Sequence, residues 1–264
     1  MRKLEVVITT LKSLVTAATF LALLWGGAWA AEIAANPGNL KEILGNVAAG
    51  DTVVLADGVY TGGFALERSG AEGAVITLRA AGESCVFDGG NDCLRIEGAS
   101  WVTVEGIRFQ KAARDGIFCA AAADDPATNV TVRNCVFADN GFPGIMTGHI
   151  NHLTIEGCEA YGSIKSHGIY ASNSGDDLII RNNRVHHNFG NGIHINGDPE
   201  MGGDGIISRA LVENNIIWEN GKRGGGAINM THVQDSLIRN NLAYNNYSAV
   251  ITLYYDTGGD ACAS

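Results

Sequence analysis

Residues 181–197, RNNRVHHNFGNGIHING, bring three of the seven histidines into one short stretch with five asparagines. Histidine is the side chain that moves protons near neutral pH, and it also ligates metals. His186 and His187 are adjacent, so in a strand they point to opposite sides, which argues against a shared metal. His194 stands between Ile193 and Ile195; if those two face inward, His194 faces out. Lys165, His167 and Tyr170 precede this stretch, and Lys222 and Arg223 follow it. Such groups can take a proton, give one, or neutralise an anion. The insertion GDPEMGGDG at 197–205 adds Asp198, Glu200 and Asp204, oxygen donors of the kind Ca²⁺ takes, although the spacing is not that of an EF-hand loop. A solvated acidic loop is the other reading of it.

What must position these groups is a repeat. Six eleven-residue segments align: VTVEGIRFQKA from Val102, VTVRNCVFADN from Val130, LTIEGCEAYGS from Leu153, LIIRNNRVHHN from Leu178, ALVENNIIWEN from Ala210 and SLIRNNLAYNN from Ser236. The third column (Val104, Val132, Ile155, Ile180, Val212, Ile238) is always β-branched, as a buried strand position favours. The eighth (Phe109, Phe137, Ala160, Val185, Ile217, Ala243) is also apolar. The fifth and sixth are mostly Gly, Asn and Cys; Asn tolerates the left-handed backbone of a sharp bend. The fourth alternates in sign: Glu105, Arg133, Glu156, Arg181, Glu213, Arg239. Segments stacked in parallel register, roughly 4.8 Å apart, would place opposite charges side by side. A third strand follows each segment, with Ile117, Ile145, Ile169, Ile193, Ile228 and Ile251 inward. Upstream, residues 51–99 hold two earlier coils, and residues 39–48, NLKEILGNVA, have the spacing of a short helix that caps the stack.

The repeat predicts an all-β parallel solenoid of about eight coils with a short N-terminal capping helix. It resembles the generic repeat of the pectate-lyase-like superfamily over residues 93–264. The opening coil, GDTVVLADGVYTGGF, is similar to the first coil of the alginate lyase and chondroitinase B family. The resemblance implies a right-handed, single-stranded parallel β-helix with three sheets, the third forming a substrate groove. It implies a polysaccharide lyase acting on a uronate-containing glycan: the carboxylate is neutralised, a base takes the C5 proton, and an acid assists the leaving oxygen. Lys165, His167, His194 and Arg223 are the catalytic candidates. Tyr170, Asn196, Asn229, Thr231 and Tyr254 are candidate sugar contacts on the third sheet, with His149 and His232 near its edges. Asp198, Glu200 and Asp204 are the candidate Ca²⁺ ligands. The ninth column holds Tyr161, His186, Trp218 and Tyr244, either rings stacked to stiffen a sheet or a platform for sugar rings. His187, beside the turn, is expected to be solvated. The Glu-x-Glu, Lys and Arg set of the alginate lyase family is not assembled here, nor is the D-P-H-D motif of mannuronan epimerases. The aspartates and Gly-His-Gly of polygalacturonases are missing too; Asp176 and Asp177 sit in a turn.

Bulk features bound the reading. Apolar residues at 46 % suffice for a core, and 35 glycines against 4 prolines indicate many tight turns without proline. A formal charge of −10 disfavours nucleic acid as partner. Arg2, Lys3 and Lys12, the apolar run 13–25 and Ala28-Trp29-Ala30 read as a secretory signal over residues 1–30. Residues 31–50 are then the cap and 51–264 the β-helix, exported and off the membrane after cleavage, with a polysaccharide as partner and a monomer expected. Residues 250–264 begin a coil without a capping element, which predicts further coils beyond them. No C-x-x-C occurs, so zinc is disfavoured. Cys135 and Cys158 share a column and form either a disulfide or a thiol ladder; Cys85 and Cys93 are the other plausible pair. Two alternatives to a lyase stay open: a non-catalytic carbohydrate-binding or adhesion β-helix, and a structural repeat domain.

Overall fold

A strand that faces core on one side must alternate, and a chain that alternates identically every coil can stack in register. The computed structural model describes residues 30–254, and it follows this rule throughout. The expected signal segment up to Trp29, and Cys262, lie outside the described residues. Three parallel sheets run along the stack. The first has nine strands, from Glu32–Ala35 and Thr52–Leu55 up to Leu237–Arg239. The second has eight, from Gly58–Thr61 to Leu242–Tyr244, and the third eight, from Phe64–Leu66 to Ile251–Tyr254. Register is column for column: Val104 pairs Val132, Phe109 pairs Phe137, and Ile145 pairs Ile117 and Ile169. This is the expected β-helix of about eight coils.

The corners are set by left-handed residues five apart. One precedes each segment (Asn129, His152, Asp177, Arg209, Asp235), one is its fifth residue (Asn134, Asn182, Asn214, Asn240) and one its tenth (Asp139, His187, Glu219, Asn245), all with φ between 48° and 60°. The sixth residue is therefore not part of the bend. It points inward: Cys135, Cys158, Asn183 and Asn215 are at most 1 % exposed. The asparagines there form a ladder. Asn183 Nδ2 donates to Asn215 Oδ1 at 3.0 Å and to Ile155 O, and Asn215 Nδ2 donates to Asn241 Oδ1 at 2.9 Å. A second ladder runs Asn188–Asn220–Asn246 beside the second corner. Each amide thus satisfies backbone groups that the bends leave unpaired inside the core.

The core column of the lower coils is aromatic: Tyr60, Phe87, Phe109 and Phe137 stack at 5.0–5.3 Å between centroids. The glycine before each third strand has a packing reason. A Cβ on Gly168 would lie 2.5 Å from Val185 Cγ1 and 2.7 Å from Asn188 Nδ2. The fourth-column charges meet as couples: Arg133 with Glu105 at 2.9 Å, Arg181 with Glu156 at 2.6 Å, Arg239 with Glu213 at 2.7 Å. Ile117 to Ile228 are at most 1 % exposed, whereas Ile251, on the last described coil, is 44 % exposed. The helix spans Leu40–Asn46 and buries Leu40 and Leu44 under the first coil; the strand Glu32–Ala35 pairs with Thr52–Leu55 as a further part of the cap. The five described cysteines are free thiols. Cys135 and Cys158 form the ladder rather than a bridge, each Sγ donating to backbone carbonyls, Arg133 O at 3.3 Å and Glu156 O at 3.4 Å. No described helix is long and apolar enough to cross a membrane.

Candidate active site on the third sheet

Between its inward isoleucines the third sheet presents an outward row: Arg95, Phe118, Met146, Tyr170, His194, Asn229, Thr252. Two residues on, the row is Glu97, Ala120, Gly148, Ser172, Asn196, Thr231 and Tyr254. The lower end is charged, the middle apolar, and from Tyr170 upward it is polar. His194 lies flat on Tyr170, with centroids 4.7 Å apart and planes 5° from parallel. His167 comes from the corner just before the same strand as Tyr170 and meets both rings edge-on, at 4.5 Å and 5.2 Å. Its Nε2 is 3.1 Å from His194 Nδ1, and its Nδ1 accepts from the backbone N–H of Asn191 at 2.9 Å. Asn196 Nδ2 donates to Tyr170 Oη at 3.4 Å. Beside His194 on the next coil, Asn229 Oδ1 is buried without a partner.

Burial governs the ionisation of this cluster. It pushes His167 down to about 3, with the neighbouring His194 contributing, and His194 down to about 4. Burial also raises the Tyr170 phenol, aided by the Asp198 charge and opposed by the Asn196 hydrogen bond. At neutral pH the two imidazoles are uncharged and the phenol keeps its proton. The cluster offers oriented hydrogen bonds and proton-transfer groups, not a cation. Lys165 and Arg223 are exposed on the corners between the second and third sheets, where each lies over a ring of the preceding coil, Phe142 at 5.8 Å and Phe189 at 6.0 Å.

The other predicted residues fall elsewhere. Tyr161, His186, Trp218 and Tyr244 do line up on the second sheet, but face over face. Their centroids are 5.0, 4.1 and 5.9 Å apart and their planes 4°, 19° and 4° from parallel. Rings stacked along the coil axis cover one another's faces and offer edges to solvent, which is the stiffening arrangement. His186 and His187 do not point apart as alternation implied. His187 holds a corner at φ 55°, which breaks the alternation and brings the two Nδ1 atoms to 2.8 Å. Carboxylates flank the pair: His186 Nε2 is 3.3 Å from Glu159 Oε1, and His187 Nε2 is 2.5 Å from Glu219 Oε2. His187 is thus half-exposed but bonded on both sides. His149 lies against Ser174 and Asn173, and His232 against Gly197 O.

The acidic insertion does not fit a Ca²⁺ site. Asp198 Oδ1 accepts from Glu200 N and caps a short 3₁₀ turn at Pro199–Met201, and Asp204 Oδ1 accepts from Ile206 N. One oxygen of each aspartate serves its own turn. Among the described residues no three such groups converge as metal ligands.

One constellation was missed by sequence reasoning. Asp92 and Asp115 occupy the corner column that His167 and Asn191 occupy higher up, and their side chains are 0 % and 1 % exposed. Asp92 Oδ1 accepts from Asp115 N at 3.2 Å, Arg95 pairs with Asp92, and Asp115 Oδ2 has no hydrogen-bond partner. Burial, and then Asp92, lift the Asp115 carboxyl to about 7. The signal lay in an Asp two residues before the inward residue of two successive third strands. Both carboxyls lie beneath the surface, and Asp92 is covered by Arg95 of the outward row.

The chain belongs to the family described as the right handed beta helix region, whose model matches residues 72–202 and 143–260. No curated protein matches the sequence. Among solved structures, it is similar to the pectate lyase Pel9A, with a TM-score of 0.64 and 17 % identity over 84 % of this chain and 65 % of that one. An alginate lyase from Paenibacillus sp. str. FPU-7 gives a TM-score of 0.53 and 19 % identity over 86 % of this chain and 98 % of that one. A GH136 lacto-N-biosidase from Eubacterium ramulus gives 0.60 and 12 % over 78 % and 52 %. The chain spans somewhat less than two thirds of the pectate lyase and about half of the lacto-N-biosidase. At these identities the likeness is one of fold, a fold shared with carbohydrate-active enzymes.

Proposed function

We propose that the chain is a secreted polysaccharide lyase that cleaves an acidic, uronate-containing glycan by β-elimination along the third sheet. The observation that carries this is the Tyr170–His194–His167 cluster: titratable groups with displaced ionisation, gathered on the outward face of one sheet. In such a reaction the C5 proton leaves to a base, the C4–oxygen bond breaks, and a double bond forms between C4 and C5. Asn196, Asn229, Thr231 and Tyr254 supply amide and hydroxyl partners for sugar oxygens, and the exposed Lys165 and Arg223 supply positive charge for the uronate carboxylate. The likenesses to a pectate lyase and to an alginate lyase support the substrate class.

The test is a rise in ultraviolet absorbance from unsaturated uronate when the protein is mixed with alginate, pectate or a glycosaminoglycan. A rise that His194→Phe abolishes supports the reading. A flat trace from folded protein on every polymer refutes cleavage, and a polymer that binds without cleavage makes the chain a binding module.

A further inference from the structure

We infer that His167 is a positioning residue that fixes His194 as a hydrogen-bond donor, through Nε2–H, to a carboxylate oxygen of a glycan in the groove. The ligand in this inference rests on the glycan-active reading above; the tautomer does not.

The argument starts at the backbone. Asn191 N–H can only donate, and it points at His167 Nδ1 at 2.9 Å. His167 Nδ1 must therefore be the bare nitrogen, and the single proton of the neutral ring is on Nε2. That Nε2–H points at His194 Nδ1, 3.1 Å away. His194 Nδ1 must in turn accept, so the His194 proton is on its own Nε2. The reverse assignment fails at the other end. If His194 Nδ1 carried the proton, His167 Nε2 would have to accept it and His167 Nδ1 would carry the hydrogen, facing the hydrogen of Asn191 N. A doubly protonated His194 meets the same clash, because its Nδ1–H would face His167 Nε2–H. The backbone thus dictates one tautomer for both rings, and geometry as well as burial keeps them uncharged.

Among the described residues His194 Nε2 has no hydrogen-bond partner, and it is not among the buried unsatisfied atoms, so it is open to solvent. It is a donor with a vacant direction, on a ring held flat against Tyr170. The groups packed around it are Tyr170 below, His167 at its side and Asn229 above, with the Asp198 charge acting on Tyr170. None of these directs a positive charge at the ring. A fixed neutral donor suits an oxygen that gains negative charge, as the uronate carboxylate does when C5 loses its proton. The same assignment removes His194 Nε2 as the base, since that nitrogen already holds a hydrogen. Proton abstraction falls to another group.

The test is long-range ¹H–¹⁵N correlation of the ring nitrogens of the whole chain, assigned with His167→Gln, His167→Leu and His194→Gln. Both rings are expected as neutral Nε2–H tautomers, neither titrating between about pH 5 and 8. His167→Gln retains a donor toward His194 Nδ1 and should leave the His194 tautomer in place. His167→Leu removes it and should release His194 to a tautomer mixture, while burial still holds its titration below the usual histidine range. If the leucine variant does not fold, the wild-type and glutamine spectra still decide. An Nδ1–H tautomer of His194, or ordinary titration of it in the wild type, overturns the inference. So does a folded leucine variant with an unchanged His194. Sodium alginate and sodium polygalacturonate are the ligand probes. A shift of the His194 Nε2–H resonance without a change of tautomer supports the carboxylate contact. No shift with either polymer sinks the ligand half and leaves the tautomer standing.

Discussion

Asp115 shows what a single corner position can store. Its carboxyl is held at about 7 by burial and by Asp92, with Arg114 pulling the other way. Because the folded state keeps a proton that the unfolded chain releases at about 3.9, the contribution of this carboxyl to stability is greatest below that pH. It is lost as pH rises through about 4 to 7. Asp115→Asn removes the charge and should stabilise the protein by about 1–3 kcal/mol at pH 8, and by much less at pH 4. Urea unfolding at both pH values checks this; an equal gain at each would rule out the titration account. Reading residues from sequence worked where a side chain alternates within a strand. His194, Tyr170 and Asn196 were found in this way. It failed at corners: His187 breaks alternation, and Asp92 and Asp115 gain their neighbours only through stacking; His167 was a candidate from the sequence, but its contact with His194 is likewise made by stacking. His167 and His194 are 27 residues apart in the chain.

The asparagine ladder and the charge ladder are both periodic and both visible in the aligned segments, yet they differ in worth. Asn215 is fully buried. Its Nδ2 donates to Ile180 O and Asn241 Oδ1, and its Oδ1 accepts from both nitrogens of Asn183. Asn215→Ala strands those partners inside the core and should cost about 2–5 kcal/mol. The Arg181–Glu156 couple is 40 % and 25 % exposed, so Arg181→Ala should cost no more than about 1 kcal/mol. Chemical denaturation of the two variants gives the comparison, and comparable losses would contradict this ranking. The sequence pattern marked the asparagine columns as bends. In the fold the fifth residue bends, whereas the sixth turns inward and hydrogen-bonds.

At the scale of the molecule, architecture was the most legible property, because column identity repeats from coil to coil and a one-residue slip would turn every core side chain outward. Function was less legible, since the same stack carries many chemistries and differs only in what its outward rows display. The inter-coil hydrogen bonds lie along the stack axis, and in the sheets each coil's backbone is bonded only to the ones above and below it. Successive segments are 28, 23, 25, 32 and 26 residues apart. Grip such a molecule by its ends and draw it out with optical tweezers, and the tension finds a series of similar latches rather than one bolt. Coils should strip off singly, each lengthening the tether by about 3.5 Å per residue released, or roughly 80–115 Å per rip. The longest rip belongs to the coil that carries the acidic insertion. A trace with one abrupt lengthening of the whole chain would show that the coils hold one another more tightly than a stack of neighbours should.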